Sequence, residues 1–121
     1  MNQSAQNVSV YDVAVVGLGY VGLPLSLAFA RAGMKVLGLD VDPAKVKALQ
    51  ASRSYLHHIS DADIAAVVGT GRLAASTNFG DVETCEAVII CVPTPLNKNR
   101  EPDLSCILAT GQAMAPHLAP R

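Results

Sequence analysis

Residues 15–26 read VVGLGYVGLPLS: a β-branched run meets three glycines and passes straight into a second apolar run. Within it, Gly17-Leu18-Gly19-Tyr20-Val21-Gly22 has the spacing G-x-G-x-x-G. At a strand-to-helix turn each glycine has a separate physical task. Gly17 permits the tight turn out of the strand. Gly19 leaves the main chain bare, so that a pyrophosphate can touch it where a Cβ would intrude. Gly22 lets the helix pack closely on the sheet. The helix start then offers unpaired N–H groups and a partial positive charge to the phosphates. Pro24 fits only if it lies in the first helical turn, where no N–H donor is needed.

A glycine-rich turn alone also fits a plain tight turn beneath a helix, and the surrounding sequence separates the two. YDVAVV (11–16) is a short β-branched run that ends at glycine, as expected of a parallel strand buried on both faces. Residues 21–32 predict a helix that is apolar almost all round, closed by Gly33. MKVLGLD (34–40) predicts the next strand. It ends in Asp40, near the spacing of about 20 residues at which a dinucleotide-binding turn places its acid. A carboxylate there accepts hydrogen bonds from both hydroxyls of an adenosine ribose and repels the extra phosphate of NADP, so the cofactor expected is NAD.

Strand and helix signals continue to alternate. Asp42-Pro43 opens a second helix, with Asp as N-cap, Pro at the first helical position, and Val46 and Leu49 facing the sheet. SRSYLHHIS (52–60) reads as a connection. Ser60 with Asp63 resembles a capping box whose carboxylate is one carbon short, and Ile64, Val67 and Val68 supply the apolar face that follows. Gly69 and Gly71 stop that helix. RLAAS (72–76) predicts a strand, DVETC (81–85) a short helical turn, and AVIICV (87–92) the clearest strand, bounded by PTP. Asp103 then caps a last helix through about Ala115, ended by Pro116.

The order β-α-β-α-β-(α)-β-α implies the α/β class, as a doubly wound parallel sheet of Rossmann type. The sheet is expected to be truncated after about four strands, because the final helix should lead to another strand. Residues 1–10 read as a flexible tail and 11–121 as a partial dinucleotide-binding domain.

Composition narrows the function classes. Half of the 121 residues are hydrophobic and the formal net charge is −1, leaving no basic surplus for nucleic acid or a membrane surface. Trp is absent and aromatics are few, which disfavours base-stacking platforms. The polar start MNQSAQNVS lacks the pattern of a signal peptide, and no apolar run approaches the roughly eighteen residues of a membrane span. Three cysteines without a C-x-x-C pair fit a reduced, cytoplasmic protein.

Other candidate site residues are fewer. Lys45 lies in the first turn of the second helix, near Asp40 and the adenosine end, although a solvated lysine would read the same. Thr94 lies in PTP, after a strand that a doubly wound sheet sets beside the first, where it could hydrogen-bond a ribose or phosphate. A proline-braced turn fits as well. His57-His58 has no Cys or carboxylate at metal-ligand spacing. Cys91 reads as a small buried strand residue, and Cys85 and Cys106 have no neighbouring base. No general base, nucleophile or metal cluster emerges.

VAVVGLGYVGLPLS, GLDVDPAKV, SYLHHI and VIICVPTPLNKNREPDLS together resemble the opening of the nucleotide-sugar 6-dehydrogenases, over about residues 11–118. These enzymes oxidise UDP-glucose, UDP-N-acetylglucosamine and related sugars to uronic acids. The resemblance implies NAD binding through the glycine turn (Gly17, Leu18, Gly19, Tyr20, Val21 and Gly22) and through residues matching Asp40, Lys45 and Thr94. The SYLHHI segment resembles the branch acting on N-acetylated UDP-hexoses. The resemblance further implies a UDP-sugar substrate and a homo-oligomer in the complete enzyme, with two successive hydride transfers from C6 by way of a cysteine-bound thioester. That cysteine, its lysine and asparagine partners, the catalytic glutamate, and the central and UDP-binding domains are expected beyond this chain. Cys91 and Cys106 do not match it. A non-catalytic nucleotide-binding module, one subunit of a split enzyme, or a hydroxy-acid dehydrogenase of the same sheet type are the competing readings.

Overall fold

A computed structural model describes residues 10–91, 99 and 105–117. The tail over residues 1–9, the PTP loop and the expected cap at Asp103 lie outside these. The elements are β1 (Tyr11–Val16), α1 (Gly22–Arg31), β2 (Val36–Leu39), α2 (Pro43–Gln50), α3 (Asp61–Val68), β3 (Leu73–Ser76), a 3-10 turn (Phe79–Thr84), β4 (Cys85–Ile90), α4 (Ser105–Met114) and a final 3-10 turn (Ala115–His117).

All four strands are parallel, in the order β3-β2-β1-β4. β1 is central: Val13 pairs with Val36 and Ala87, and Val16 with Leu39 and Ile90. Its two faces feed two cores. Val13 and Val15 pack with Leu23 and Leu27 of α1, Leu49 of α2, Ile64 and Val67 of α3, and Leu56 and Ile59 of the 52–60 connection. Ala14 and Val16 pack on the other side with Val82, Cys85 and Met114. Helices α1 to α3 therefore lie on one face and α4 on the other, the doubly wound arrangement expected. The strand order reverses between β1 and β4, so a crevice opens beyond their carboxyl ends.

Local chemistry accounts for the helix ends. Asp42 caps α2 by accepting from the Ala44 N–H at 2.9 Å, ahead of Pro43. The Ser60–Asp63 capping box forms despite the shorter acid, with bonds of 3.1 and 3.2 Å. The Ser60 backbone bond, then its side chain, hold the Asp63 carboxyl below its ordinary range. Gly33, at φ 100°, closes α1 as Met34 N–H turns back to Phe29 O. Ser52 takes the same role after α2 at φ 59°, which an L-residue adopts at some cost, while Arg53 N–H reaches Ala48 O.

Some expectations shift. The second strand spans Val36–Leu39 rather than 34–40, because Lys35 N–H is held by the Asp12 carboxylate and its carbonyl by Asp12 N–H, outside the β2 ladder. The fourth strand begins at Cys85, two residues before the apolar run, since Tyr11 pairs with Cys85 across the sheet. Cys85 is therefore a strand residue. Cys91 lies one residue past the strand and is only half-buried, although its N–H still bonds Val16 O at 2.6 Å.

Within β2, Gly38 makes room for Leu18 to pack. A Cβ there would lie 2.8 and 3.0 Å from the two terminal methyls of Leu18, whose side chain is fully buried. Gly38→Ala should therefore lower unfolding stability by about 1–3 kcal/mol despite the better strand propensity of alanine. A urea-denaturation midpoint equal to or above that of the parent would contradict this packing.

Candidate functional site

The chain leaves β1 through Gly17, whose φ of 98° falls in the region that disfavours side chains, and Gly17 N–H bonds Leu39 O at 2.7 Å. Leu18 is then held three ways. Its side chain is buried against Gly38, its N–H donates to Asp40 Oδ2 at 2.8 Å, and its carbonyl accepts from the Tyr55 hydroxyl at 2.5 Å. Leu23 N–H reaches back to Gly19 O at 3.1 Å as the helix begins.

The two remaining glycines behave differently. A Cβ on Gly22 would sit 1.6 Å from the carbonyl oxygen of Gly17, so α1 can follow the turn this closely only without one. The collision is with the turn itself; the nearest group of the β4 end, Cys91 Cβ, is 3.4 Å away. A Cβ on Gly19 would meet no protein atom within 4 Å. The fold does not demand glycine there, and the open space above it is what close approach by a ligand needs.

Helix α1 also differs from its neighbours at its start. Asp42, Ser60 and Asn78 cap the helical segments they precede with their side chains. Val21, at the same position of α1, provides no such bond, and the first turn of α1 carries no acid. Within its first turn Leu23 N–H bonds Gly19 O, Leu25 N–H bonds Val21 O and Pro24 has no N–H, so α1 leaves the Gly22 N–H and the positive end of its dipole for an external anion.

Asp40 lies just past β2, 8% exposed, with Oδ2 on Leu18 N–H and Oδ1 on Asp42 N–H at 2.9 Å. Each carboxylate oxygen has a second lone pair, so ribose hydroxyls can still be accepted. Beside it opens a cleft of about 400 Å³ lined by Gly19, Tyr20, Asp42, Ala44, Lys45, Tyr55 and Leu56. Lys45 is half-buried, with Nζ 5.9 Å from the centre of the Tyr55 ring. Tyr20 and Val21 are 76% and 67% exposed at the turn's tip.

The structure thus brings together Gly17, Leu18, Gly19, Tyr20, Val21, Gly22, Asp40 and Lys45, while Thr94 lies outside the described residues. A second cleft, lined by Tyr11, Leu49, Val68 and Leu73 among others, includes none of them. Sequence reasoning gave Tyr55 no site role, placing it in a connection and in the SYLHHI segment. The available signal was an aromatic in a chain with only three Tyr and two Phe.

Among the described residues no group of three or more His, Cys, Asp or Glu could hold a metal ion. Burial raises the pKa of both Cys85 and Cys91 above the ordinary thiol value, the opposite of an activated nucleophile.

The sequence model for the UDP-glucose/GDP-mannose dehydrogenase family, NAD binding domain, matches residues 11–121. The chain belongs to this family. Its cofactor is NAD. It is 36% identical over 118 residues to the NDP-N-acetyl-D-galactosaminuronic acid dehydrogenase of Ralstonia nicotianae, covering 94% of this chain and 26% of that protein. It is 37% identical over 114 residues to the UDP-N-acetyl-D-mannosamine dehydrogenase of Escherichia coli, covering 91% and 26%. The crystal structure of a ternary complex of GDP-mannose dehydrogenase from Pseudomonas aeruginosa superposes with a TM-score of 0.81 at 28% identity, covering 87% of this chain and 24% of that one. The chain thus spans about a quarter of the length of the relatives it matches.

Two glycine substitutions separate folding from binding. Gly19→Ala should leave the unfolding free energy from urea denaturation within about 0.5 kcal/mol of the parent yet weaken NAD binding about tenfold or more. Gly22→Ala should cost about 2 kcal/mol or more of stability. A Gly19→Ala protein that binds NAD like the parent would show that no ligand approaches the turn there.

Proposed function

We propose that this chain is the NAD-binding part of a nucleotide-sugar 6-dehydrogenase that oxidises the C6 alcohol of UDP-N-acetylglucosamine, or a closely related UDP-N-acetylhexosamine, to the carboxylate. The observation that carries the NAD half of this reading is the 2.8 Å bond between Leu18 N–H and Asp40. It sets the acid expected to hold the ribose directly against the turn expected to hold the diphosphate.

In this reading the main-chain amides of the glycine turn, with the Gly22 N–H that opens α1, bind the diphosphate, and Gly19 admits it to the main chain. Asp40 receives the adenosine ribose hydroxyls, and its charge disfavours a 2′-phosphate. Val41, 79% exposed directly after Asp40, offers the adenine ring an apolar surface. Lys45 lies on the cleft wall, where its charge favours the dinucleotide's phosphates, and the family resemblance adds Thr94 as a cofactor contact. NAD, once bound, supplies hydride acceptance; this part of the chain binds and orients it. The sugar half of the reading is supported by the SYLHHI segment and by relatives named for N-acetylated sugars.

Isothermal titration of the purified chain should show NAD binding with a preference over NADP of roughly tenfold, about 1.4 kcal/mol. The same chain mixed with NAD and UDP-N-acetylglucosamine should produce no steady NADH. Equal affinity for NAD and NADP would overturn the ribose assignment. Turnover would overturn the division of labour.

A further inference from the structure

Residues 52–60 join α2 to α3, and nothing in a dinucleotide-binding turn requires them. Yet this connection is firmly built. Leu56 and Ile59 are buried in the core beneath α1. Ser54 N–H donates to Asp61 at 2.7 Å, and Leu56 N–H donates to Ser54 Oγ at 3.1 Å. Ile59 N–H bonds Leu56 O at 3.2 Å. Tyr55 projects from this braced segment to the cofactor cleft.

There its two ends do different things. The hydroxyl donates to the Leu18 carbonyl, and the ring lies under Lys45 Nζ at 5.9 Å, within the range of a cation–π contact. In a trans peptide the carbonyl of one residue and the N–H of the next lie in one plane and point in opposite directions. Fixing Leu18 C=O therefore also fixes the direction of Gly19 N–H, which is aimed away from Tyr55. Asp40 fixes the preceding plane through Leu18 N–H. Without Tyr55 the second plane would lose its only side-chain tether among the described residues.

We propose that Tyr55 is a positioning residue for the dinucleotide, orienting the Leu18–Gly19 peptide for the diphosphate and seating the Lys45 ammonium over the same cleft. The inference rests on the NAD-cleft reading above and extends it to a residue outside the glycine motif. Burial, and next the negative charges of Asp40 and Asp42, hold the phenol well above its ordinary pKa, so it remains a donor throughout the working pH range.

Tyr55→Phe keeps the ring under Lys45 and removes only the hydroxyl. In the ligand-free chain, amide exchange at Leu18 should accelerate about tenfold as the tether is lost. Affinity for NAD should fall about five- to tenfold, while affinity for adenosine, which has no diphosphate, stays at the parent value in NMR titrations. Tyr55→Leu should reproduce these losses and also weaken binding further through Lys45. A purely structural brace would lower both affinities together, and that result overturns the proposal. So would Tyr55→Phe protein with parental exchange at Leu18 and parental NAD affinity. If the parent chain itself binds no NAD, the cleft reading fails instead, and the exchange result still reports on the tether alone.

Discussion

The site depends on the immobilisation of one residue, Leu18. Its side chain is sunk against Gly38, its N–H is held by Asp40, and its carbonyl is held by Tyr55. These three restraints come from three separate segments, β2, the turn after it, and the 52–60 connection. The turn beside Gly19 can be glycine-rich and still be rigid because its fixed points lie outside it. Flexibility in the free chain would otherwise have to be lost on binding, at about 1–2 kcal/mol per residue of backbone.

That immobilisation ties binding to folding. Asp40 is both a ribose acceptor in the proposed function and the partner of two main-chain amides. Removing its carboxylate leaves those amides without their partner, at a cost of about 1–3 kcal/mol each if they stay buried. A loss of NAD affinity on substituting Asp40 therefore mixes two effects. Gly19 is cleaner, because no protein atom uses the space its missing side chain leaves.

Much of this was legible in the sequence. The alternation of β-branched runs with capped helices gave the element order, and G-x-G-x-x-G followed by Asp40 gave the turn and its acid. The Asp42-Pro43 and Ser60–Asp63 caps formed as read because capping is local chemistry. Boundaries moved where partners across the sheet decided them: Cys85 joined β4 because Tyr11 lies opposite, although its own neighbours are polar. Tyr55 was invisible because its bond to Leu18 spans 37 residues and follows no periodicity. The uncapped start of α1 was equally hidden, since an absent bond gains meaning only beside the caps of the neighbouring helical segments.

A crystal structure of the chain with NAD would test the preformed turn most directly. The main chain of residues 17–22 should superpose on the ligand-free fold within about 1 Å, with both Asp40 bonds kept and the diphosphate on the amides of the glycine turn. A diphosphate bound elsewhere, or a turn that abandons Asp40 to receive it, would contradict the account.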